Sequence, residues 1–474
     1  MKLDRVMIAA PKSGSGKTMI TCALLQLLKN RDRHVVSFKC GPDYIDPMFH
    51  QKVIGIPSRN LDTFFSGENE VRQLLLRNRR PDEIAVVEGV MGLYDGLGGI
   101  REEGSAYHLA TVTGTPILLV VDAKGMGRSV IPLIKGFLQY DVEHRIKGIL
   151  LNRMSKAYYE VMKPLIEEEA GVPVVGFFPE NKEYGVESRH LGLVMPDELQ
   201  CIREQLQAVA SAFEKTVSVE QILQIAASAD ELEAENTLIP GHAGEEARTF
   251  MPGHAGEEGE MPLIAVARDE AFCFYYEDNL ELLRARGARI QYFSPIHDKG
   301  LPGGCSAILL GGGYPELYGA ELSQNAEMRQ TLYSAIQNGM PVVAECGGFM
   351  YLHKHIVDKE KRAYEMVGAI PADCHDTRNL VRFGYIELTD KEGCFLPQGD
   401  RIKGHEFHYF DSEINGDSCA ATKPVTGKTY PCVIANQNQW LGFPHLYYPS
   451  NPRFADSFVE KAREYAKSRT KTQK

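Results

Sequence analysis

Short apolar runs alternate with amphipathic stretches through the first half of the chain. Val6–Ala10, Val35–Phe38, Ile84–Val87, Ile117–Val121, Ile146–Leu151 and Val174–Phe177 are continuous hydrophobic segments that predict buried strands. Thr18–Lys29 and Val71–Arg77 space their apolar residues as one face of a helix. Strand–helix alternation predicts a parallel, doubly wound sheet with ligands at the carboxyl ends of its strands. The pattern then restarts. Leu263–Ala267 predicts a strand, about Asn279–Arg286 a helix, and Ile290–Phe293, Ala307–Leu310 and Pro341–Ala344 further strands. β character increases toward the end, at Ile386–Leu388 and Cys432–Ala435, and Ala455 to about Ser468 reads as a polar amphipathic helix.

Between the halves lies a seam, residues 229–262. The heptapeptide Pro240–Glu246 recurs as Pro252–Glu258, twelve residues later. Gly, Glu and Pro dominate and little can be buried, so a flexible, solvated linker is expected. The domains are therefore read as 1–228, linker 229–262, and 263–474. His242 and His254 recur with the repeat; a tandem duplication accounts for them better than a metal site.

At 474 residues, 43% hydrophobic and 24% charged, the chain is long enough for two or more ordinary globular cores. Its net charge of −11 argues against a general nucleic-acid binder, which needs a basic face, but leaves room for a local basic pocket. No apolar stretch is long enough for a membrane span, and Met1–Ala10 reads as a first strand rather than a signal peptide. A cytoplasmic location is expected. The ten cysteines include no CxxC, which argues against a zinc knuckle or redox dithiol.

The first candidate site follows the first strand. Pro11-Lys12-Ser13-Gly14-Ser15-Gly16-Lys17-Thr18 opens into a helix, the order of a phosphate-binding loop. Loop N–H groups and the helix dipole would cradle phosphate, Lys17 would neutralise it, and the Thr18 hydroxyl would face Mg²⁺. Proline at position 11 breaks the usual G-x-x-x-x-G-K-T pattern, and Lys12 stands five residues before Lys17. This form resembles the deviant P-loop of the dethiobiotin-synthetase and nitrogenase-iron-protein class, in which the early lysine also reaches phosphate. Strand Ile84–Val87 ends at Glu88, placed for a metal ion, and Gly92–Gly96 with Asp95 follows. Asn152 closes the strand Ile146–Leu151, where P-loop relatives read the nucleotide base. Asp43-Tyr44-Ile45-Asp46-Pro47, read as a loop, is either a simple turn or a device for positioning a second substrate or its metal. Ser58–Asp62 is read as another polar loop, and Lys39, Arg59 and Arg189 as positive charge for a polyanionic substrate.

The second candidate site is a cysteine elbow. Strand Pro341–Ala344 runs into Glu345-Cys346-Gly347-Gly348, a nucleophile elbow with Cys in place of Ser, where a helix N-terminus is expected to favour thiolate. Gly311-Gly312-Gly313, after another strand, would aim N–H groups at a developing oxyanion together with Gly347. Gly442-Phe443-Pro444-His445 offers a base. Gly404-His405-Glu406-Phe407-His408 lacks HExxH zinc spacing and is read as packing or lining this cleft.

Taken together, Lys12–Thr18, Gly41–Pro47, Val87–Gly96, Ala344–Gly348, Gly404–Tyr409 and Gly442–Tyr448 resemble, in order, the cobyrinate a,c-diamide synthase family. The resemblance implies two α/β domains: an N-terminal dethiobiotin-synthetase-like P-loop domain and a C-terminal class I glutamine amidotransferase domain. It implies ATP and glutamine as co-substrates, Mg²⁺ as cofactor, and an anionic tetrapyrrole as acceptor, with neither nucleic acid nor membrane as partner. Cys346 would release ammonia from glutamine with His445 shuttling the proton. ATP would turn the a and c acetates into acyl phosphates that ammonia converts to amides. Most class I enzymes carry Glu two residues after the His; here Tyr447 stands there, which leaves the third member of that site open. Cobyric acid synthase and the nickel-sirohydrochlorin branch are similar alternatives. A P-loop ATPase fused to an inert glutaminase-like module is a third, disfavoured by the retained Cys346 and His445.

Overall fold

The computed structural model describes residues 2–77, 79–80, 82–181, 196–233 and 261–472. The chain divides into two compact units, Met1–Asn236 and Thr237–Lys474.

The first unit is built on seven strands: β1 (Asp4–Ala9), β2 (Val35–Cys40), β3 (Ser58–Leu61), β4 (Ile84–Glu88), β5 (Ile117–Asp122), β6 (Ile146–Asn152) and β7 (Val174–Phe178). They form one sheet in the order β3-β2-β4-β1-β5-β6-β7, and every pairing is parallel. Both faces are covered, which is why these strands read as unbroken apolar runs. On one face Val6, Ile8, Val86, Leu118 and Leu150 pack with Leu24 and Leu27 of helix Lys17–Asn30, and with Leu206, Val209, Phe213 and Ile222 of two later helices. Packing continues to Ala229 and Leu232, both buried. Residues 234–260, with the repeat and its two histidines, and Arg189 lie outside the described residues.

Two expectations need correction here. Ser58–Leu61 is an edge strand rather than a loop, because it completes the parallel ladder on β2; Asn60 turns its amide to the carbonyls of Gly41 and Asp43. Asp46 lies in a short helix, Ile45–Phe49. The Asp43 carboxylate accepts the N–H groups of Ile45 (2.8 Å) and Asp46 (3.2 Å) and so starts that turn.

The second unit is built around a six-stranded sheet. Its strands β8 (Leu263–Ala267), β10 (Arg289–Phe293), β11 (Ala307–Leu310), β13 (Val342–Glu345) and Gln439–Gly442 are parallel in the order β10-β8-β11-β13-Gln439–Gly442, and Ile434–Ala435 adds an antiparallel edge. The short strands β9 (Phe272–Phe274) and β12 (Gly312–Gly313) pair beside it. A five-stranded antiparallel sheet contains Arg382–Asp390, Arg401–His408 and His445–Leu446. The single strand expected over Cys432–Ala435 is split, since Val433 sits at φ +68° and sends Thr429–Cys432 and Ile434–Ala435 into different sheets. Among the described residues no helix is long and apolar enough to cross a membrane.

Candidate active sites

In the first unit β1 is central, flanked by β4 and β5, and the loop after it feeds helix Lys17–Asn30. Gly14 and Gly16 take φ +76° and +94°, the left-handed values that a tight loop requires. Gly16 is needed for a second reason: a Cβ there would lie 2.2 Å from Asn152 Nδ2. That amide donates to the Ser15 carbonyl at 2.8 Å, so Asn152 braces the loop from the end of β6. Lys12 presents its carbonyl to Ser15 Oγ (2.9 Å) and Lys17 Nζ (3.4 Å), and its side chain is exposed. Lys17 Nζ also donates to the carbonyl of Met91, whose φ of +48° is unusual for a side-chain-bearing residue. Burial and nearby Lys39 bring Lys17 down to about 8. Asp95 accepts the Gly92 N–H at 2.9 Å and exerts an opposing pull on Lys17.

Three ionisable groups come together here: parallel register sets Lys39 of β2 beside Glu88 of β4, and the short helix Ile45–Phe49 returns Asp46 to Lys39. Lys39 Nζ donates to Glu88 Oε1 at 2.9 Å and also to Asp46 Oδ2. Thr18 Oγ1 donates to the same Glu88 oxygen at 2.7 Å. Lys39, Asp46 and Glu88 are 4%, 6% and 0% exposed, so this charge balance is made inside protein. Burial opposes the Lys39 charge, but Glu88 and Asp46 outweigh it and hold the ammonium well above its ordinary range. Burial also works against the Asp46 carboxylate, yet Lys39 holds it below the ordinary range. Glu88 is pushed up to about 7, by burial and then by Asp46. His50 Nε2 lies 3.7 Å from Glu88 Oε2, but burial brings His50 down to about 4, so it is a neutral neighbour and not an ion-pair partner. The reading of Lys39 as free positive charge for a substrate is therefore corrected: it is engaged by two carboxylates. Tyr44 is buried at the start of the Asp46 helix.

In the second unit Cys346 follows β13 at φ +46°, ψ −104°, a strained conformation for a residue with a side chain. Its N–H donates to Gly442 O at 2.9 Å, and its carbonyl accepts from Met350 at 2.9 Å to begin the helix Gly347–Tyr351. The surrounding glycines are explained by approach distances. A Cβ on Gly348 would meet Leu310 O at 2.3 Å, one on Gly347 would meet Gly313 N at 3.0 Å, and one on Gly312 would meet His445 Cε1 at 2.3 Å. The elbow, the β12 turn and His445 thus converge. Burial, reinforced by Glu316, pushes the Cys346 thiol well up, so the expectation of a resting thiolate is corrected; a five-residue helix does not offset that desolvation. His445, 2% exposed, is pulled down to about 3 by burial. Thiol and imidazole are therefore both uncharged at rest.

The segment carrying His445 is held on several sides. Asn279 donates to Leu446 O and accepts from Tyr448 N, each at 2.8 Å. Glu345 accepts from Leu446 N (3.4 Å) and Tyr448 Oη (3.3 Å), and burial pushes its carboxyl up to about 8. Tyr447 donates to Asp278 at 3.2 Å. His405 stands directly across the ladder from His445.

Residues 6–193 match the profile of the CobQ/CobB/MinD/ParA nucleotide binding domain, and residues 263–442 that of the CobB/CobQ-like glutamine amidotransferase domain. Curated relatives extend over nearly the whole chain. The cobyrinate a,c-diamide synthase of Priestia megaterium is 36% identical over 473 residues, covering 99% of each chain. That of Thermoplasma acidophilum is 36% identical, covering 97% of this chain and 100% of its own. The chain belongs to the cobyrinate a,c-diamide synthase family. As a member it is an ATP-using, glutamine-dependent amidating ligase. The second profile ends three residues before His445, so the geometry around Gly312 is an independent reason to include that histidine. Sequence reading passed over Glu345 and His50 and misjudged Lys39. The available signal was a charged residue at the carboxyl end of an apolar strand, as in Ser37-Phe38-Lys39 and Val343-Ala344-Glu345.

Proposed function

We propose that this enzyme amidates the a and c acetate carboxylates of cobyrinate or hydrogenobyrinate, with ATP as activator and glutamine as nitrogen donor. The observation that carries the reading is the strained Cys346 elbow meeting Gly312, Gly313 and His445, in a chain that also carries the braced loop Lys12–Thr18. Cys346 Sγ attacks the glutamine side-chain amide carbon while His445 takes the thiol proton. The N–H groups of the Gly312, Gly313 and Gly347 region stabilise the oxyanion. The C–N bond breaks, His445 returns the proton to the leaving nitrogen, and water clears the γ-glutamyl thioester to glutamate. In the synthetase unit an acetate oxygen takes the γ-phosphoryl of ATP, giving an acyl phosphate and ADP. Ammonia then displaces inorganic phosphate. Lys12, Gly14, Gly16, Lys17 and Asn152 hold the nucleotide, while Asp43, Tyr44, Asp46 and Asp95 position the acceptor.

The residues fit Mg²⁺. Glu88 Oε2 is buried without a hydrogen-bond partner, and the Thr18 hydroxyl is already against Oε1 of the same carboxylate. Mg²⁺ keeps several waters and binds through one or two protein oxygens together with substrate phosphates, so this pair of ligands is enough. Thr18 and Glu88 would hold it, where it would neutralise charge on the phosphates.

The test is mass analysis of products after incubation with ATP, glutamine and each of cobyrinate, hydrogenobyrinate and nickel-sirohydrochlorin. Conversion of two carboxyls to carboxamides on a corrin substrate is expected. Conversion of nickel-sirohydrochlorin alone would reassign the acceptor.

A further inference from the structure

The His445 ring is confined on two sides by groups outside the Cys/His pair. A Cβ built on Gly312 would lie 2.3 Å from Cε1 and nearly equally far from Nδ1 (3.2 Å) and Nε2 (3.4 Å), so β12 backs the Cε1 edge of the ring in its own plane. The ring face is covered by His405, with centroids 4.9 Å apart and planes 16° from parallel. This contact is built by the ladder. His405 and His445 are directly opposed on antiparallel strands, and Gly404 beside them has no room for a side chain, since a Cβ would meet His445 O at 2.5 Å. His405 is in turn fixed by Tyr276, whose hydroxyl lies 3.1 Å from Nδ1, and Tyr276 packs edge-on against Tyr447.

We infer that His405 is a positioning residue for glutamine hydrolysis, a flat plate that holds the His445 imidazole in its reactive orientation where a carboxylate two residues after the histidine would otherwise do so. Tyr447 at that place has no carboxylate and turns its hydroxyl to Asp278. A base that must take a proton from Cys346 and return it to nitrogen needs one ring orientation through both steps. Edge support from Gly312 and face support from His405 restrict rotation without adding charge. Burial, and then His445, hold His405 well below the ordinary histidine range, so it stays neutral and does not oppose the imidazolium that forms on His445.

This inference rests on the glutaminase reading of Cys346 and His445, and the test separates the two. Glutaminase kcat and KM are measured for His405→Ala, His405→Leu and His405→Phe in the full chain, with Cys346→Ala alongside. Leu fills volume without a plane, and Phe restores the plane. His405→Ala and His405→Leu should lose roughly 10- to 100-fold in kcat with KM for glutamine little changed, and His405→Phe should return to within about threefold of wild type. Should the alanine variant not fold, the Leu–Phe pair decides alone. Wild-type kcat in His405→Leu, equal loss in the Leu and Phe variants, or a loss carried by KM would overturn the inference. Persistent glutaminase activity in Cys346→Ala would instead overturn the underlying reading.

Discussion

Adding one methyl group at Gly312 should disable glutamine hydrolysis while leaving ATP chemistry untouched. An alanine Cβ there would lie 2.3 Å from His445 Cε1, more than ~1 Å inside an ordinary carbon–carbon contact. The β12 backbone has little freedom to retreat: its neighbours are so close that a Cβ on Gly311 would meet the Tyr275 ring at 2.5 Å, and one on Gly313 would meet Ala271 O at 2.0 Å. The His445 ring must therefore give way. Displacing a proton-transfer group by an ångström lowers turnover by ~10²-fold, about 2.7 kcal/mol of barrier. Overpacking should also cost about 1–3 kcal/mol of stability, seen as a lower Tm. The assay is glutamate release from glutamine, beside ammonia-dependent amidation in the same preparation. Gly303→Ala is the control, because a Cβ there meets nothing within 4 Å. If Gly312→Ala hydrolyses glutamine with wild-type kcat, then the contact between β12 and His445 does not set the geometry of the base.

Cys346→Ala should abolish glutamine-dependent amidation, and added ammonium should rescue it; a folded variant that ammonium does not rescue would refute the division of labour. Lys17→Ala should retain glutamine hydrolysis but form no ADP, which coupled ADP detection reads directly. Asp46→Asn removes one of two carboxylates from buried Lys39 and should lower amidation by ~10²-fold with glutamine hydrolysis unchanged. Matched loss of both activities would point to misfolding. Burial pushes the Glu345 carboxyl up to about 8, against an ordinary value of 4.5, so the native state holds its proton more tightly. Its contribution is complete below about pH 4.5 and declines as pH rises toward 8. Glu345→Gln should flatten that decline, narrowing the wild-type fall in Tm between pH 5.5 and 8; an unchanged slope would place the Glu345 titration elsewhere.

How far these sites were legible in the chain differs from element to element. The central strands of both units are apolar on both faces, so Val6–Ala10 and Pro341–Ala344 declare themselves by composition, and the lysine-glycine and cysteine-glycine turns after them are short-range patterns. Ser58–Leu61 escaped notice because an edge strand with half-exposed Arg59 and Asn60 has no apolar run; it is a strand only because β2 offers it a ladder.

Charge was the least legible property. Lys39 reads in the sequence as an available cation, yet parallel register sets it beside Glu88 and the chain returns Asp46 to it, so its charge is neutralised inside the fold. The resting state of Cys346 depends likewise on burial, which local sequence does not specify. Local order along the chain determined the strands, the turns and the two reactive motifs, because each depends on neighbours a few residues away. Ionisation states and the seating of His445 between Gly312 and His405 were decided by tertiary structure, because desolvation and through-space contact join residues as far apart in sequence as 312, 405 and 445.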